Sequence, residues 1–495
     1  LKISKLFKSA GIYVPSVPDN NISDIIFDSR KASPNSVFVA LRGDHTDGHL
    51  FIEKALSKGC PVAVSEENGF GKSVVVVKDT TIALANLSHA LNGYPSKSIQ
   101  LCGVTGTNGK TTITHMLAHM LRGIDNELGL VGTAGHIFPG SDRSTEWDEN
   151  NPKTTPPITI LDSYFKTMVE HGSKYGVLEL SNFGLERGRL IGYEFETVAI
   201  SNITYNHHVK LSRGFDNYVA SKMMAVDLVK QTGTVVLNID DDYYDVARKH
   251  AGKKRLVTFG HHQGDIHIKH FESGLKNSKL AISTFENEYK LELPIAGLVN
   301  AINVLTAVGM LDGLGFDMAE MLPRMTSFKP INGRWNWVER GQPFPVVIDK
   351  ANTAKSIEFV LSHLKEHCQG KLYIILYIVG DGDFQARKYM ADIVAKYADL
   401  TITTYGLSQG EDLDFTLNQF ADFLDNVGAD HIEIPHRPEA IDHAISIARD
   451  DDCVAILARG NQKSMTVKGK FIKSDFQSAI ESLKRRGYKD ESDRL

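Results

Sequence analysis

No apolar run in this 495-residue chain approaches the roughly 20 residues a membrane-spanning helix needs; the longest, "LYIILYIV" and "SVVVV", stop far short. The N-terminal "LKISKLFKSAG" has neither the apolar core nor the cleavage site of a secretory leader, so a cytoplasmic location is expected. Cysteine is scarce. Cys60, Cys102, Cys368 and Cys453 stand far apart with no C-x-x-C pair, which argues against a zinc site or a disulfide framework and fits a reducing compartment. Excess positive charge is missing too. A formal net charge of -5 leaves no polybasic footprint, so neither nucleic acid nor an anionic membrane is an expected partner. Short repeats and low-complexity tracts are also absent.

What remains is a globular composition, 42% apolar and 23% charged, spread over more residues than one core ordinarily holds. The first stretch reads as a small α/β unit, with strand-like "VFVAL", helix-like "HLFIEKALSKG" and strands "PVAVSE" and "SVVVVKD". A Gly-Pro-Ser hinge, "LNGYPSKS", follows. From "IQLCGVTG" strands and helices alternate through "YGVLELS", "TVAISNIT" and "GTVVLNID", the pattern of a mainly parallel sheet wrapped by helices. A second break near "KPINGRW" precedes a restart: "PVVIDK", "KLYIILYIVGDG", "LTITTYG", "HIEIP" and "CVAILARG" with helices between. The expected architecture is therefore α/β in three domains, 1–96, 97–330 and 331–495, the last two doubly wound sheets.

The stretch "GVTGTNGKTT", Gly103 to Thr112, joins a strand to a helix whose Ile113, Met116, Leu117, Met120 and Leu121 recur at helical spacing. Gly106 and Gly109 free the backbone to turn its N–H groups around an anion, with Thr107 and Asn108 between them. The helix's first turn adds unpaired donors, and Lys110 adds a charge. The match to G-x-x-x-x-G-K-[ST] is imperfect, since Val104 stands where the first Gly belongs and Gly103 lies one residue earlier. A nucleotide is the expected ligand, with Thr111 holding Mg²⁺ and Thr112 beside it. Ligands gather at the carboxyl ends of strands in open sheets, so Glu179, closing "YGVLELS", and His207, after "SNIT", are candidates to complete a metal site. By itself Lys222, in "YVASKMMAVDL", reads as a solvated helix lysine.

Together these pieces resemble the Mur ligases, ATP-dependent amide-forming enzymes of peptidoglycan synthesis. They are most similar to the MurE branch, which adds the third amino acid to UDP-N-acetylmuramoyl-dipeptide. The resemblance runs through "DSRKASPNSVFVALRGDHTDGHLFIEKALSKG", "KTTPP", "VLELSNFGLERGRLIGYEFE", "SNITYNHH", "NYVASK", "LNIDDD", "GLVNAIN" and "INGRW". It implies a cytoplasmic ligase of cell-wall precursor synthesis, monomeric, using ATP and Mg²⁺ on a UDP-MurNAc-peptide-like molecule and an amino acid. By that correspondence Thr111 and Glu179 hold one metal, His207 the other, and Lys222 is the lysine that the family carbamylates into a metal ligand. Ser29 and Arg30 face the UDP moiety. Thr154, Thr155, Ser181 and Arg189 contact the muramoyl peptide or its pyrophosphate, and Asn300 the nucleotide. Arg334 and Asp349 are implied to reach the terminal phosphate and the ribose or adenine only when the third domain closes over the second.

Departures cluster in the third domain. Where the MurE branch usually reads D-Y-A-H-T-P, this chain has "DKANTAK", with Lys350, Asn352 and Lys355 in altered places. The D-N-P-[RA] signature is missing and "TYGLSQGED" stands in its region. G-K-G-H-E becomes "ARGNQKS", which removes a carboxylate and supplies Arg459 and Lys463. In the central domain His207 is kept, but the Asp before it becomes Asn206. Three readings stand at this point: a ligase whose acceptor is neutral or acidic rather than diaminopimelate or lysine, a paralogue acting on another carboxylate, and a catalytically silent nucleotide-binding descendant.

Overall fold

The computed structural model describes residues 1–14, 19–43, 46–137, 154–205, 214–285, 287–380 and 384–488. Their strands form three main sheets. The first is parallel, in the order β1 (Asp24–Ile26), β2 (Ser36–Val39), β3 (Val62–Ser65) and β4 (Val74–Val76). Helix α1 (Thr80–Asn92) covers it; the Asp79 carboxylate caps its start by accepting from the N–H groups of Thr81 and Ile82. Gly93, at φ +76°, ends it in the left-handed region that favours glycine.

The central sheet is built on β5 (Gln100–Thr105), flanked by β8 (Tyr175–Glu179) and β9 (Phe195–Ile200). Beyond β8 lie β6 (Gly129–Gly132) and β7 (Gly135–Ile137); beyond β9 lie β10 (Val229–Asn238), β11 (Arg255–Gly260), β12 (Ile266–Ser273), β13 (Ser278–Thr284) and β14 (Asn287–Leu293). Pairing is parallel from β6 to β12 and antiparallel at both edges, β6 with β7 and β12 through β14. The "mainly parallel" expectation thus omits an antiparallel extension, whose strands alternate polar and apolar because one face meets solvent.

Alternation along β5 explains how the sheet is buried on both faces. Cys102 and Val104 pack with α2 (Lys110–Arg122) and α5 (Leu298–Gly313), whereas Leu101 packs with α3 (Ile158–Glu170) and α4 (Phe215–Asp227). The apolar cluster on the α3 side runs on through Leu84 and Leu87 of α1 into the first sheet, so these two units share a core.

The third sheet has the order β15-β16-β20-β17-β18-β19, with β15 (Asn336–Trp337) antiparallel and the rest parallel: β16 (Val346–Ile348), β20 (Cys453–Ile456), β17 (Leu372–Tyr377), β18 (Leu400–Thr404) and β19 (His431–Glu433). Helix α6 (Ala354–His367) lies on one face. Its Thr353 side chain accepts from the Ser356 N–H while Ser356 returns the bond to the Thr353 N–H, a reciprocal cap. No helix of the described residues is long and apolar enough to cross a membrane.

Candidate active site

The loop after β5 is fixed by its neighbours rather than by its own sequence alone. Gly106, at φ +138°, lies so close to the next strand that a Cβ there would stand 2.1 Å from the Ser201 hydroxyl oxygen. Gly109, at φ +88°, starts α2, and a Cβ would lie 2.6 Å from Asn303 Oδ1. Ser201 and Asn202, at the carboxyl end of β9, grip the loop. The Ser201 hydroxyl donates to the Asn108 carbonyl (2.6 Å), and Asn202 takes the Asn108 N–H on Oδ1 (3.0 Å) while its carbonyl accepts the Thr107 N–H (2.7 Å). The Thr107 hydroxyl contacts that of Tyr218 on α4 at 3.0 Å.

Lys110 turns back over this loop and donates to the carbonyls of Gly106 (2.7 Å) and Thr107 (3.1 Å). Burial pulls its ammonium down to about 8, against the opposing pull of Glu179. Lys222 is 1% exposed, which overturns its reading as a solvated helix lysine: the face of α4 that carries it packs on the loop, not on water. Its Nζ donates to the same Gly106 carbonyl at 3.1 Å. Burial, reinforced by the neighbouring Lys110 charge, holds the Lys222 amine well below the usual lysine range. Two full ammonium charges sharing one carbonyl in a dry site would repel, which adds to the downward pull on Lys222.

Glu179, 1% exposed at the end of β8, is oriented by Thr133, whose N–H reaches Oε1 (2.7 Å) and whose hydroxyl reaches Oε2 (2.9 Å). The Thr154 hydroxyl lies 3.0 Å from that of Thr133, and Thr155 donates its hydroxyl to the Glu179 carbonyl at 2.8 Å. The Thr155 carbonyl in turn accepts from Arg189 (2.6 Å), and burial beside Arg187 lowers that guanidinium to about 10. The Ser181 side chain caps a short helix by accepting the Gly184 N–H at 3.1 Å.

The third unit supplies the opposite wall. Arg334 Nη2 lies 3.5 Å from Thr111 Oγ1, so this guanidinium already reaches the loop. Asp349, buried at the end of β16, spends its carboxyl on the N–H groups of Trp335 (2.9 Å) and Ala351 (2.7 Å); burial raises its pKa although Arg334 opposes this. Thr353 approaches Asn108 Oδ1 at 3.5 Å.

These walls enclose a cavity of about 550 Å³ lined by Lys110, Thr111, Thr112, Glu179, Lys222 and Arg334, together with Thr107, Asn108, Gly109, Thr154, Ser181, Arg189, Asn300 and Asp349. Thr155 stands behind this lining. Ser29 and Arg30 do not line it; Ser29 is buried in the first unit and Arg30 is exposed, paired with Asp28 at 2.7 Å. His207 lies outside the described residues. Sequence reasoning missed Thr133, Asn303 and the Ser201–Asn202 grip, and left Lys350 without a role. All but Asn303 follow the carboxyl end of a parallel strand, the signal that had picked out Glu179.

A second cavity, about 430 Å³, shares Asn352 and Thr353 with the first. Tyr377, Ile378, Val379 and Met390 line it with Lys355 and Arg387, and no carboxylate stands among its described lining residues. Lys355 pairs with Glu358 at 3.0 Å, and Arg387 pairs with Glu411 of "TYGLSQGED". Asp381 and Asp383, in the neighbouring segment, lie outside the described residues. Arg459 does not serve either cavity as the sequence suggested. It is 1% exposed in a buried triad with Asp475 (3.2 Å) and Arg437, which grips both Asp475 oxygens at 2.8 Å, because a buried guanidinium must find its counter-charge inside the fold.

Comparison with known proteins follows the same lines. Family models match in three places: the Mur ligase family, catalytic domain over residues 21–92, the Mur ligase middle domain over 104–311, and the Mur ligase, glutamate ligase domain over 333–460. The UDP-N-acetylmuramoyl-L-alanyl-D-glutamate--2,6-diaminopimelate ligase of Geobacillus thermodenitrificans is 30% identical over 471 residues, 92% of this chain and 94% of that protein. Its counterpart in Caldanaerobacter subterraneus is 28% identical over 487 residues, covering 98% and 99%. Among solved structures, a UDP-N-acetylmuramoyl-L-alanyl-D-glutamate--2,6-diaminopimelate ligase superposes with a TM-score of 0.69 at 23% identity, over 98% of this chain and 100% of that one. A MurF ligase of Thermotoga maritima in complex with ADP gives 0.64 at 17% identity, covering 94% and 98%.

Proposed function

The chain belongs to the Mur ligase family, and from that premise we propose that it adds an amino acid to UDP-N-acetylmuramoyl-dipeptide, or a close analogue, at the expense of ATP. The observation that carries this reading is the convergence of Lys110, Glu179, Lys222 and Arg334, drawn from two units, on one cavity. In the first step an oxygen of the donor carboxylate bonds to the γ-phosphorus while the bond to the bridging oxygen breaks, its electron pair leaving with ADP. In the second the acceptor amine adds to the acyl-phosphate carbon. The tetrahedral intermediate then collapses, phosphate leaves with the C–O bonding pair, and the nitrogen loses its proton.

The chain's part is positioning and charge compensation. Lys110 and the loop N–H groups hold the phosphates, Arg334 closes on the terminal one, and Asn300 and Asp349 face the nucleoside. Thr154, Thr155, Ser181 and Arg189 orient the donor, and Ser29 and Arg30 take its distant UDP end. The three ranges 1–96, 97–330 and 331–495 then divide the labour as donor, nucleotide and acceptor domains.

The donor set fits a hard divalent cation. Glu179 is a buried carboxylate on the cavity wall with no ion pair among the described residues, and the Thr111 hydroxyl adds a second oxygen. We assign Thr111, Glu179, His207 and Lys222 to hold Mg²⁺, which supplies neutralising charge to the phosphate oxygens. A neutral Lys222 amine can add to CO₂, forming an N–C bond and releasing a proton, and so become an anionic ligand.

The acceptor side chain belongs in the second cavity, whose apolar wall and lack of a carboxylate among the described lining residues favour a neutral or acidic amino acid over one with a distal ammonium, Lys355 and Arg387 being already paired with Glu358 and Glu411. The purified chain should release ADP only when ATP, UDP-MurNAc-dipeptide and an amino acid are all present. Faster turnover with lysine or diaminopimelate than with neutral or acidic amino acids refutes the acceptor assignment. Nucleotide binding without turnover on any donor refutes the ligase reading.

A further inference from the structure

Among the described residues, two groups of histidine and carboxylate stand close enough together to hold a metal ion away from the main cavity. In the first unit, Asp47, His49 and Glu67 are already consumed. Arg42 pairs with both carboxylates, His49 Nδ1 meets Asp47 at 2.6 Å, and His49 Nε2 accepts the Glu66 N–H at 3.1 Å. That ring has no lone pair left to give. The second group is His363, Glu366 and His367, at the C-terminal end of α6. It lies where this helix of the third unit meets the end of β12 and the turn after it, His363 Nε2 standing 3.3 Å from the Leu275 carbonyl and His367 Nε2 2.9 Å from that of Ser273.

The spacing i, i+3, i+4 puts the three side chains on one stripe of the helix. One ring nitrogen from each histidine and one Glu366 carboxylate oxygen lie within 4.8 Å of one another, and the two ring centroids are 4.4 Å apart. Donors bound at about 2.0–2.1 Å to a tetrahedral ion stand about 3.4 Å apart. Glu366 can supply that contraction, because it is exposed and makes no hydrogen bond or ion pair among the described residues. His363 is fixed: it is 7% exposed and packs edge-on to Trp335, with ring centroids at 5.0 Å. Burial, with the neighbouring His367, lowers its pKa and favours the neutral ring, whose lone pair a metal takes. His367 has a carbonyl before each ring nitrogen, that of His363 at Nδ1 and that of Ser273 at Nε2, both at 2.9 Å. A neutral imidazole carries one N–H, so one of these nitrogens turns its lone pair toward an oxygen, and a bound cation removes that repulsion.

We propose that His363, Glu366 and His367 form a binding site for a borderline divalent transition metal such as Zn²⁺, at the junction of the central and third units. Two imidazoles select such ions over Mg²⁺, which prefers oxygen, so this site differs in chemistry from the Thr111 and Glu179 side of the main cavity. The end of α6 adds to the attraction, because the unpaired carbonyls at a helix's C-terminus favour a cation. Three protein donors leave the fourth tetrahedral position to solvent. A helix of this length spans about 20 Å, which separates the ion from the Thr353 cap beside the main cavity. The inference stands apart from the ligase reading, since a chain inactive on every donor still binds the ion.

The test titrates Zn²⁺ by calorimetry into the full-length chain, stripped of metal and held in excess Mg²⁺, in parallel with Glu366→Gln, His367→Gln and Glu179→Gln. Visible absorption with Co²⁺ in place of Zn²⁺ reports the ligand geometry, and thermal melting without added transition metal reports folding. One Zn²⁺ per chain, beyond any that the main cavity takes, should bind the wild type and Glu179→Gln alike. Its affinity should fall at least about 100-fold in Glu366→Gln and in His367→Gln. Intense tetrahedral Co²⁺ bands should appear in the wild type and vanish in Glu366→Gln, whose melting should match the wild type because the residue is exposed. Zn²⁺ binding that survives Glu366→Gln unchanged overturns the proposal, as does binding lost only in Glu179→Gln, which marks the main cavity as its source. No binding to the wild type tighter than about 100 µM overturns it too. If His367→Gln melts lower for want of its bond to Ser273, Glu366→Gln alone decides the outcome.

Discussion

The two walls of the main cavity are built to different tolerances. On the central side, bonds of 2.6–3.0 Å tie Ser201 and Asn202 to the loop, and Thr133, Thr155 and Arg189 into a mesh around Glu179. The third-unit wall is equally firm within itself: Asp349 is locked to its backbone, and Thr353 and Ser356 cap α6. The seam between the walls is not. Arg334 to Thr111 and Thr353 to Asn108 both stretch to 3.5 Å, the limit of a useful hydrogen bond. Farther from the cavity the same helix, α6, is anchored more tightly, His367 bonding the Ser273 carbonyl of β12 at 2.9 Å. Two rigid walls, a weak seam and a firmer distal anchor form the arrangement in which closure can adjust the site without rebuilding it.

This contrast predicts a ranking. Gly106→Ala attacks the mesh itself, since the added carbon collides with Ser201 and the backbone must leave φ +138°. It should abolish nucleotide turnover, by at least about 1,000-fold, in a coupled ADP assay. Glu179→Gln keeps the shape and removes the charge; kcat should fall about 100-fold and the Mg²⁺ requirement should rise sharply. If either variant behaves like wild type, the central wall is not the reacting one.

Changes at the seam should be gentler. Thr353→Ala loses the α6 cap, about 1 kcal/mol by thermal melting, and should raise KM for ATP only a few-fold with kcat little changed. A kcat collapse there would mean that the seam, not the mesh, carries the chemistry.

The pH dependence sharpens the same contrast. Lys110, on one wall, and Lys350, on the other, both lose their protons near about 8 in the free protein. Each is charged below that value, so kcat/KM for ATP should be full near neutrality and fall as pH rises past it. Away from the cavity, His89 donates to Asp162 (2.9 Å) and to the Ile191 carbonyl (2.9 Å), joining the first and central units. Burial lowers its pKa, but the Asp162 bond and charge outweigh that and raise it overall. A raised folded pKa gives stability that is complete below the unfolded value of about 6.5 and fades as pH climbs through the folded one. His89→Gln should therefore cost the most, about 2 kcal/mol, in melts near pH 6, and less at alkaline pH.

How much of this was legible in the sequence follows from how local each feature is. The loop could be read because glycine, lysine and threonine act within one strand-to-helix turn, and Glu179 because strand ends point at ligands. Thr133 and Ser201–Asn202 also stand at strand ends, but the bonds they make could not be read, since their partners are remote in sequence and meet only through strand pairing. Lys222 was misread by itself because the pattern of its helix is inverted: the solvent stripe carries Ala220 and Met224, while Ser221 and Lys222 sit on the buried face beside Tyr218 and Met223. Polarity then does not mark which side meets water. Only the packing of that helix on the loop reveals that the lysine points inward. Arg459 was misread for the converse reason: a base in a motif position looks available until the fold shows its acid, Asp475, arriving from the final helix.

The central claim is that this cavity activates a carboxylate as an acyl phosphate before an amine attacks. Donor labelled with ¹⁸O in its carboxylate tests that directly, with the released phosphate analysed by mass spectrometry. The account predicts one labelled oxygen in inorganic phosphate for each amide formed, with turnover dependent on ATP. Label retained wholly in the amide product and its remaining oxygen pool, with none in phosphate, would contradict it.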